Sequence, residues 1–201
     1  MVNLTNLVEI RQGWYWPISD IRCWEYMHRF HDLPQRICEF VTSKQVIVQA
    51  GGNCGFYTRQ YSTMFDTVYT FEPDWINFYC LVNNVPFNNV VKYQSCLGDK
   101  RSLVDLKIFE QNRGRNYVDG TGIYPMTMID DLNLNTCNLI HLDIEGFEYF
   151  ALKGAVKTIE KCRPVVVLEM WDHLDDRFEP GSNKKTEELI VNLEKCIKNI
   201  F

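Results

Sequence analysis

The chain has 201 residues, with 26 acidic against 21 basic side chains, a formal charge of −5, and 46% hydrophobic and 13% aromatic residues. That composition can bury a proper core and excludes a disordered chain. No apolar run reaches the ~20 residues a membrane-crossing helix needs, and mild acidity speaks against non-specific nucleic-acid binding, which depends on clustered Lys and Arg.

Residues 1–43 read as an aromatic-rich N-terminal cap, in which Gly13-Trp-Tyr-Trp-Pro17 is followed by Trp24, Tyr26, His28, Phe30 and His31. Met1 to Arg11 alternates polar and apolar residues and lacks the basic-then-apolar layout of a secretory signal. Ile18 to Phe30 is expected to be a helix, serving either as a core cover or as a lid that helps form an acceptor pocket.

Residues 44–201 read as one α/β domain. Short β-branched runs, Val46 to Ala50, Thr67 to Phe71, Val90 to Gln94, Leu139 to Asp143 and Val165 to Glu169, predict five strands. Between them Phe56 to Phe65, Trp75 to Asn83 and Glu148 to Lys161 predict helices. Continuous apolar strands alternating with helices imply a mostly parallel sheet with helices on both faces. Residues 99–132 break the rhythm, and a hairpin insertion over one end of the sheet is the simplest account. Leu189, Ile190, Leu193, Ile197 and Ile200 recur at helical spacing, predicting an amphipathic helix from Thr186 to Ile200.

The eight cysteines, at 23, 38, 54, 80, 96, 137, 162 and 196, form no Cys-x-x-Cys pair. Zinc-ribbon and dithiol redox motifs are therefore disfavoured. The expectation is a reducing, cytoplasmic compartment without an obligatory disulfide.

Three features carry chemistry. Gln49-Ala-Gly51-Gly52-Asn53-Cys-Gly55 follows the first strand and precedes a helix, where glycines let the backbone turn tightly and approach a ligand. It is not the Gly-x-Gly-x-x-Gly dinucleotide fingerprint. Glu72 ends the second strand, 21 positions after Gly51, where a carboxylate accepts hydrogen bonds from two ribose hydroxyls. Together the turn and the carboxylate indicate a nucleoside-containing cofactor. Asp143 ends the fourth strand and opens Asp143-Ile-Glu-Gly-Phe-Glu148, and His141, two positions earlier, shares its face. Glu148 is read as matching a helix N-terminus.

The blocks Gly51-Gly-Asn-Cys-Gly55, Phe71-Glu-Pro73, Asn83, Met128-Ile-Asp-Asp-Leu132, Leu142-Asp-Ile-Glu-Gly-Phe-Glu148, Leu152-Lys-Gly-Ala155 and Arg163-Pro-Val-Val-Val-Leu-Glu169 occur in order between Val46 and Met170. On these residues the chain resembles the FkbM family of S-adenosylmethionine-dependent methyltransferases. The resemblance implies a Rossmann-like class I methyltransferase fold and O-methylation of a hydroxyl on a sugar, glycan or other small molecule. It places Gly51, Asn53 and Gly55 along the methionine part of S-adenosylmethionine, Gln49 and Gly52 also among the cofactor-binding residues, Glu72 on the ribose, Cys96 and Leu97 at the adenine, and Asp143 facing methyl donor and acceptor. Asp143 is the first candidate for base or acceptor orienter, with His141 second.

Two departures stand out. Gln49 occupies the position where the family usually has an acidic residue for the cofactor's ammonium group. The usual C-terminal hairpin has no counterpart in the pattern, so the sheet edge is expected to be covered otherwise, by a second copy of the chain in a homodimer for instance. Both departures motivate the alternative of a non-catalytic binding module with weakened cofactor affinity. A divalent ion on Asp143 and Glu169 is the lesser alternative to metal-free transfer. The expected partner is a small-molecule or glycan acceptor, not nucleic acid or membrane.

Overall fold

The computed structural model describes residues 6–169 and 182–192. The chain opens with a hairpin the sequence reading did not anticipate: β1 (Val8–Arg11) pairs antiparallel with β2 (Trp14–Pro17). Gln12 and Gly13 between them both have positive φ, 50° and 84°. That is the turn geometry whose twist matches two-residue hairpins. Two helices follow, α1 (Arg22–Arg29) and α2 (Leu33–Cys38). The first is shorter than the expected Ile18 to Phe30, and the second starts on Pro34 in its first turn, a position that needs no N–H donor.

The cap is tied down by polar groups. Asn84 accepts a hydrogen bond from the Tyr15 N–H at 2.8 Å and donates to the Tyr15 and Cys54 carbonyls. Trp16 is fully buried, stands edge-on to Trp24 at 5.0 Å and donates its indole N–H to the Asp20 carbonyl.

The domain proper runs β3 (Val46–Ala50), α3 (Phe56–Tyr61), β4 (Thr67–Phe71), α4 (Trp75–Asn84) and β5 (Val90–Tyr93). The excursion β6 (Cys96–Leu97), β7 (Ser102–Val104), β8 (Leu106–Lys107), β9 (Tyr117–Val118) and β10 (Tyr124–Thr127) comes next. After it come β11 (Leu139–Leu142), α5 (Glu148–Lys153), α6 (Val156–Cys162), β12 (Val165–Leu168) and α7 (Ser182–Asn192). Five strands form one parallel sheet in the order β12-β11-β3-β4-β5. The chain walks outward from β3 to β5, then returns to lay β11 on the other side of β3. The gap between the carboxyl ends of β3 and β11 is thus the switch point at which open α/β sheets bind ligands.

Alternation along β3 sorts the core. Val48 and Ala50 join Ile140, Leu142, Leu152 and Ile159 on the face covered by α5 and α6. Ile47 joins Tyr61, Phe65, Leu81 and Leu139 on the face covered by α2, α3 and α4. Both faces are sealed, which is why these strands read as continuous apolar runs.

The helix expected from Glu148 to Lys161 is two helices. It breaks at Gly154, whose backbone approaches the Gly98 carbonyl so closely that a Cβ would overlap it. Asp130 supports the restart by accepting from the Lys157 and Thr158 backbone N–H groups. The excursion contains two antiparallel pairings, β7 with β10 and β8 with β9, while β10 lies parallel to β6. Among the described residues no strand follows β12. The part of the expected terminal helix beyond Asn192 and any hairpin at 193–201 lie outside them. The seven described cysteines are all free thiols, six of them buried. No helix among the described residues is long and apolar enough to cross a membrane.

Candidate active site

Over the carboxyl ends of β3, β4, β11 and β12 lies a cavity of about 890 Å³, within the ~300–1,000 Å³ span of small-molecule sites. Its floor is the sheet; its walls are α1, α2 and the loop at 112–118. Gly51, Gly52, Asn53, Glu72, Cys96, Leu97, His141 and Asp143 all line it. Gln49 and Gly55 do not.

The Gly-rich turn is shaped by its neighbours. Gly51 has φ +83° and its Cα faces the Asp143 carbonyl so closely that a Cβ would overlap it. A Cβ on Gly52 would come 2.8 Å from the Thr70 hydroxyl. Gly55 takes φ +91° at the start of α3 and packs against Val85 and Leu81. Its role is therefore to turn the chain; the expectation that it lines the cofactor is corrected.

Gln49 is the second correction. It lies on the Ile47 face of β3, fully buried and turned toward α3. Its carbonyl oxygen accepts from the Thr58 hydroxyl at 2.9 Å and the Thr70 hydroxyl at 2.7 Å, and its amide donates to the Gly51 carbonyl at 2.9 Å. An amide supplies both acceptor and donor to that network, which a carboxylate would not. Gln49 braces the turn from beneath.

Glu72 is 6% exposed, with one carboxylate oxygen accepting from the Asn53 N–H at 2.7 Å and the other from the Asp74 N–H at 2.9 Å. Burial, with the Asp74 charge second, pushes its pKa up to about 8. Each oxygen keeps a further lone pair, so a vicinal diol fits a carboxylate already aimed by two backbone donors. Cys96 and Leu97 add an apolar wall beside it. The residues present therefore suit a nucleoside.

Asp143 stands across the cavity. Its carboxyl lies beside that of Glu169, just beyond β12, and burial, then the Glu169 charge, raises its pKa well above the ordinary carboxylate range. Glu145, held at φ +58°, brings a third carboxylate, all three within 4.8 Å. Glu148, pushed up to about 8 by burial, accepts the Ile144 N–H at 2.9 Å and so holds the loop that carries Asp143.

His141 lines the same wall with its Nδ1 3.0 Å from the Tyr61 hydroxyl, and burial lowers its pKa to about 4. It is a neutral imidazole at pH 7. Three wall residues were not singled out as site residues from sequence: Cys23, whose thiol accepts from Asn53 Nδ2 at 3.5 Å, Tyr57, and Glu169 beyond its part in the ion alternative. Tyr57 and Cys23 lie in segments whose register no motif fixes; for Glu169, its place at a strand tip was the available signal.

A Methyltransferase FkbM domain model matches residues 49–197. The chain belongs to the FkbM methyltransferase family. Among solved structures it is similar to methyltransferase FkbM from Methylobacillus flagellatus KT, at 22% identity and a TM-score of 0.55. The match covers 81% of this chain and 44% of that one, so the chain spans less than half the length of that relative. It is also similar to a precorrin-6y C5,15-methyltransferase from Geobacter metallireducens GS-15 (8% identity, TM-score 0.49, 92% and 79% covered). An N-methyltransferase NodS from Bradyrhizobium japonicum WM9 stands at 8% identity and 0.46, with 84% and 82% covered. No curated protein sequence matches the chain significantly. Within the FkbM domain, the Met128-to-Leu132 and Leu152-to-Ala155 blocks are scaffold: Asp130 caps α6 and Gly154 admits the Gly98 backbone.

Proposed function

We propose that the protein transfers a methyl group from S-adenosylmethionine to a hydroxyl of a sugar, glycan or other small molecule. The observation that carries this reading is the carboxylate cluster of Asp143, Glu145 and Glu169, which lines the same cavity as Glu72 with Asp143 at the sheet's switch point. When bound, S-adenosylmethionine supplies an electrophilic methyl group on a sulfonium centre. Glu72 would hold the ribose, Cys96 and Leu97 the adenine, and the Gly51–Asn53 turn the methionine part.

The chain's own work is deprotonation and orientation. A hydroxyl must lose its proton as it attacks, unlike a neutral amine, so a base beside the acceptor suits O-methylation. A carboxylate whose pKa is raised by a neighbouring carboxylate is a stronger base than a free one. Asp143 in its ionised form takes the hydroxyl proton as the oxygen attacks, and the neutral carboxyl is left with that proton once the methyl group has moved. The α1, α2 and 112–118 walls enclose the side of the cavity away from the sheet. His141, neutral and bonded to Tyr61, positions the wall without exchanging a proton. The motive for a non-catalytic module weakens, because Gln49 faces α3 instead of the cavity.

Calorimetry with S-adenosylhomocysteine and transfer of labelled methyl from S-adenosylmethionine to carbohydrate extracts test the proposal. Expected are heat at micromolar ligand, an alkali-stable methyl ether, and loss of turnover in Asp143→Asn with ligand affinity kept. Absence of heat at millimolar ligand would sink cofactor use, and an alkali-labile or amine-bound methyl would sink O-methylation. The three clustered carboxylates also suit a hard divalent cation; turnover abolished by EDTA and restored by Mg²⁺ would favour that second reading.

A further inference from the structure

The cavity's outer wall is basic in a protein that is acidic overall. Arg22 and Arg29 on α1, Arg36 on α2, and Arg113 and Arg115 in the loop over the sheet all line it, half of the chain's ten arginines, and no lysine does so among the described residues. Four of the five, Arg22, Arg29, Arg36 and Arg115, are solvent-exposed and make no ion pair among the described residues. The cavity carboxylates Glu72, Asp143 and Glu169 sit at the strand tips, and among the described residues no salt bridge joins them to an arginine.

Stacking orients two of these guanidinium groups without consuming their N–H donors. Arg29 lies over the Tyr26 ring at 5.7 Å and Arg115 over the Phe109 ring at 5.5 Å. The fifth, Arg113, is 6% exposed, spends Nη1 on Asp74 at 2.6 Å, and leaves its buried Nε without a partner. The wall is held in place by Asp20, whose two carboxylate oxygens accept the Cys23 and Arg113 backbone N–H groups. The Arg22 N–H also donates to the Gln111 carbonyl. Arg22, Arg113 and Arg115 are thereby gathered at one corner of the mouth.

Planar forks with free donors, to the exclusion of lysine, are the arrangement that recognises carboxylate and phosphate oxygens two at a time. Uncompensated cations around a partly enclosed cavity also focus field lines on it. We infer that the acceptor carries an anionic group, a carboxylate or a phosphate ester, which the arginine wall holds while its hydroxyl faces Asp143. This rests on the methyltransferase reading of the same cavity and names the acceptor class.

The test uses the full chain saturated with S-adenosylhomocysteine and titrates glucuronate, glucose 6-phosphate, inorganic pyrophosphate and neutral glucose at low and high salt. Expected are at least tenfold tighter binding of a charged probe than of glucose, and weakening by salt. Arg22→Gln and Arg115→Gln should each lose about five- to tenfold for that probe while S-adenosylhomocysteine affinity stays unchanged. The tighter of glucuronate and glucose 6-phosphate tells the carboxylate source from the phosphate source. Because both arginines are exposed, these variants fold, which a thermal melt verifies. Three results would overturn the inference: no preference for any anion over glucose, unchanged anion binding in both variants, or an equal loss of S-adenosylhomocysteine, which would give the arginines to the cofactor's carboxylate. If S-adenosylhomocysteine does not bind the wild-type chain at all, the methyltransferase reading fails first, and the anion titrations on the unliganded chain still decide the arginine wall.

Discussion

Gly51 and Gly13 offer a matched pair of substitutions. Their φ values are +83° and +84°, so an alanine at either must adopt the left-handed region, at about 1–2 kcal/mol. The smaller freedom of alanine in the unfolded chain returns about 0.4–1 kcal/mol at both. The surroundings differ: a Cβ on Gly13 meets nothing within 4 Å, whereas one on Gly51 overlaps the Asp143 carbonyl, a backbone atom that cannot swing aside. Overpacking of that kind costs a further ~1–3 kcal/mol. Gly13→Ala is therefore expected to destabilise by about 1 kcal/mol and Gly51→Ala by about 2–4 kcal/mol. Urea unfolding reads the difference as a shift in midpoint at constant slope. Since the overlap lies between β3 and β11, Gly51→Ala should also weaken S-adenosylhomocysteine binding, and Gly13→Ala should not. If the two variants differ by less than ~0.5 kcal/mol, the close approach at the switch point is wrong, and with it the placement of Asp143 beside the turn.

Glu72 is mostly protonated at pH 7, with its pKa near 8, whereas ribose hydroxyls donate to the ionised form. S-adenosylhomocysteine affinity should therefore rise from pH 6 to 8 with release of a proton and level off above; calorimetry in buffers of different ionisation heat checks this, and a flat profile, or an unchanged one in Glu72→Gln, would contradict it. Asp74 pairs with buried Arg113 and also caps α4 by accepting from the Ile76 and Asn77 N–H groups. Asp74→Ala should thus cost ~3–5 kcal/mol for the stranded charge plus ~1 kcal/mol for the cap; Arg113→Met added to it should recover part, and a cost under ~1.5 kcal/mol would refute the pairing. In the pH dependence of kcat/KM, Glu169→Gln should move the acid limb to lower pH, because it removes the neighbouring charge that raises Asp143. His141→Gln should leave that limb in place, since His141 is already neutral with a pKa near 4.

The five sheet strands could be read to within a residue, because strands covered on both faces read as continuous apolar runs and four of the five stop at a Gly or a carboxylate. Glu72, Gly51 and Asp143 were legible for the same reason: strand tips at the carboxyl edge point into one crevice. The hairpin at Gln12-Gly13 was missed although Met1 to Arg11 alternates, since only the positive φ of both turn residues makes the alternation a strand pair. Gln49 and Gly55 were misjudged because a spacing says which residues are near a turn, not which side of the sheet they face. Gly154 sits inside a helical pattern and breaks it only through a close approach to Gly98, a contact 56 positions away that no local rule exposes. The arginine wall draws its members from α1, α2 and the loop at 112–118, three segments whose proximity no single stretch of sequence reveals.

One carboxyl, Asp20, joins the two halves of that wall. It is fully buried, burial pushes its pKa up to about 6, and its partners belong to segments 93 and 3 residues away. The floor of the cavity is made by the sheet and the roof by pieces bolted to one another through a side chain. Roof and floor can then vary separately. A different acceptor would require new residues only on α1, α2 and the loop, and the machinery for the methyl donor would be inherited unaltered. A chimera that exchanges those segments, with Asp20 and Asp74 kept as fasteners, is the natural route to retargeting this scaffold.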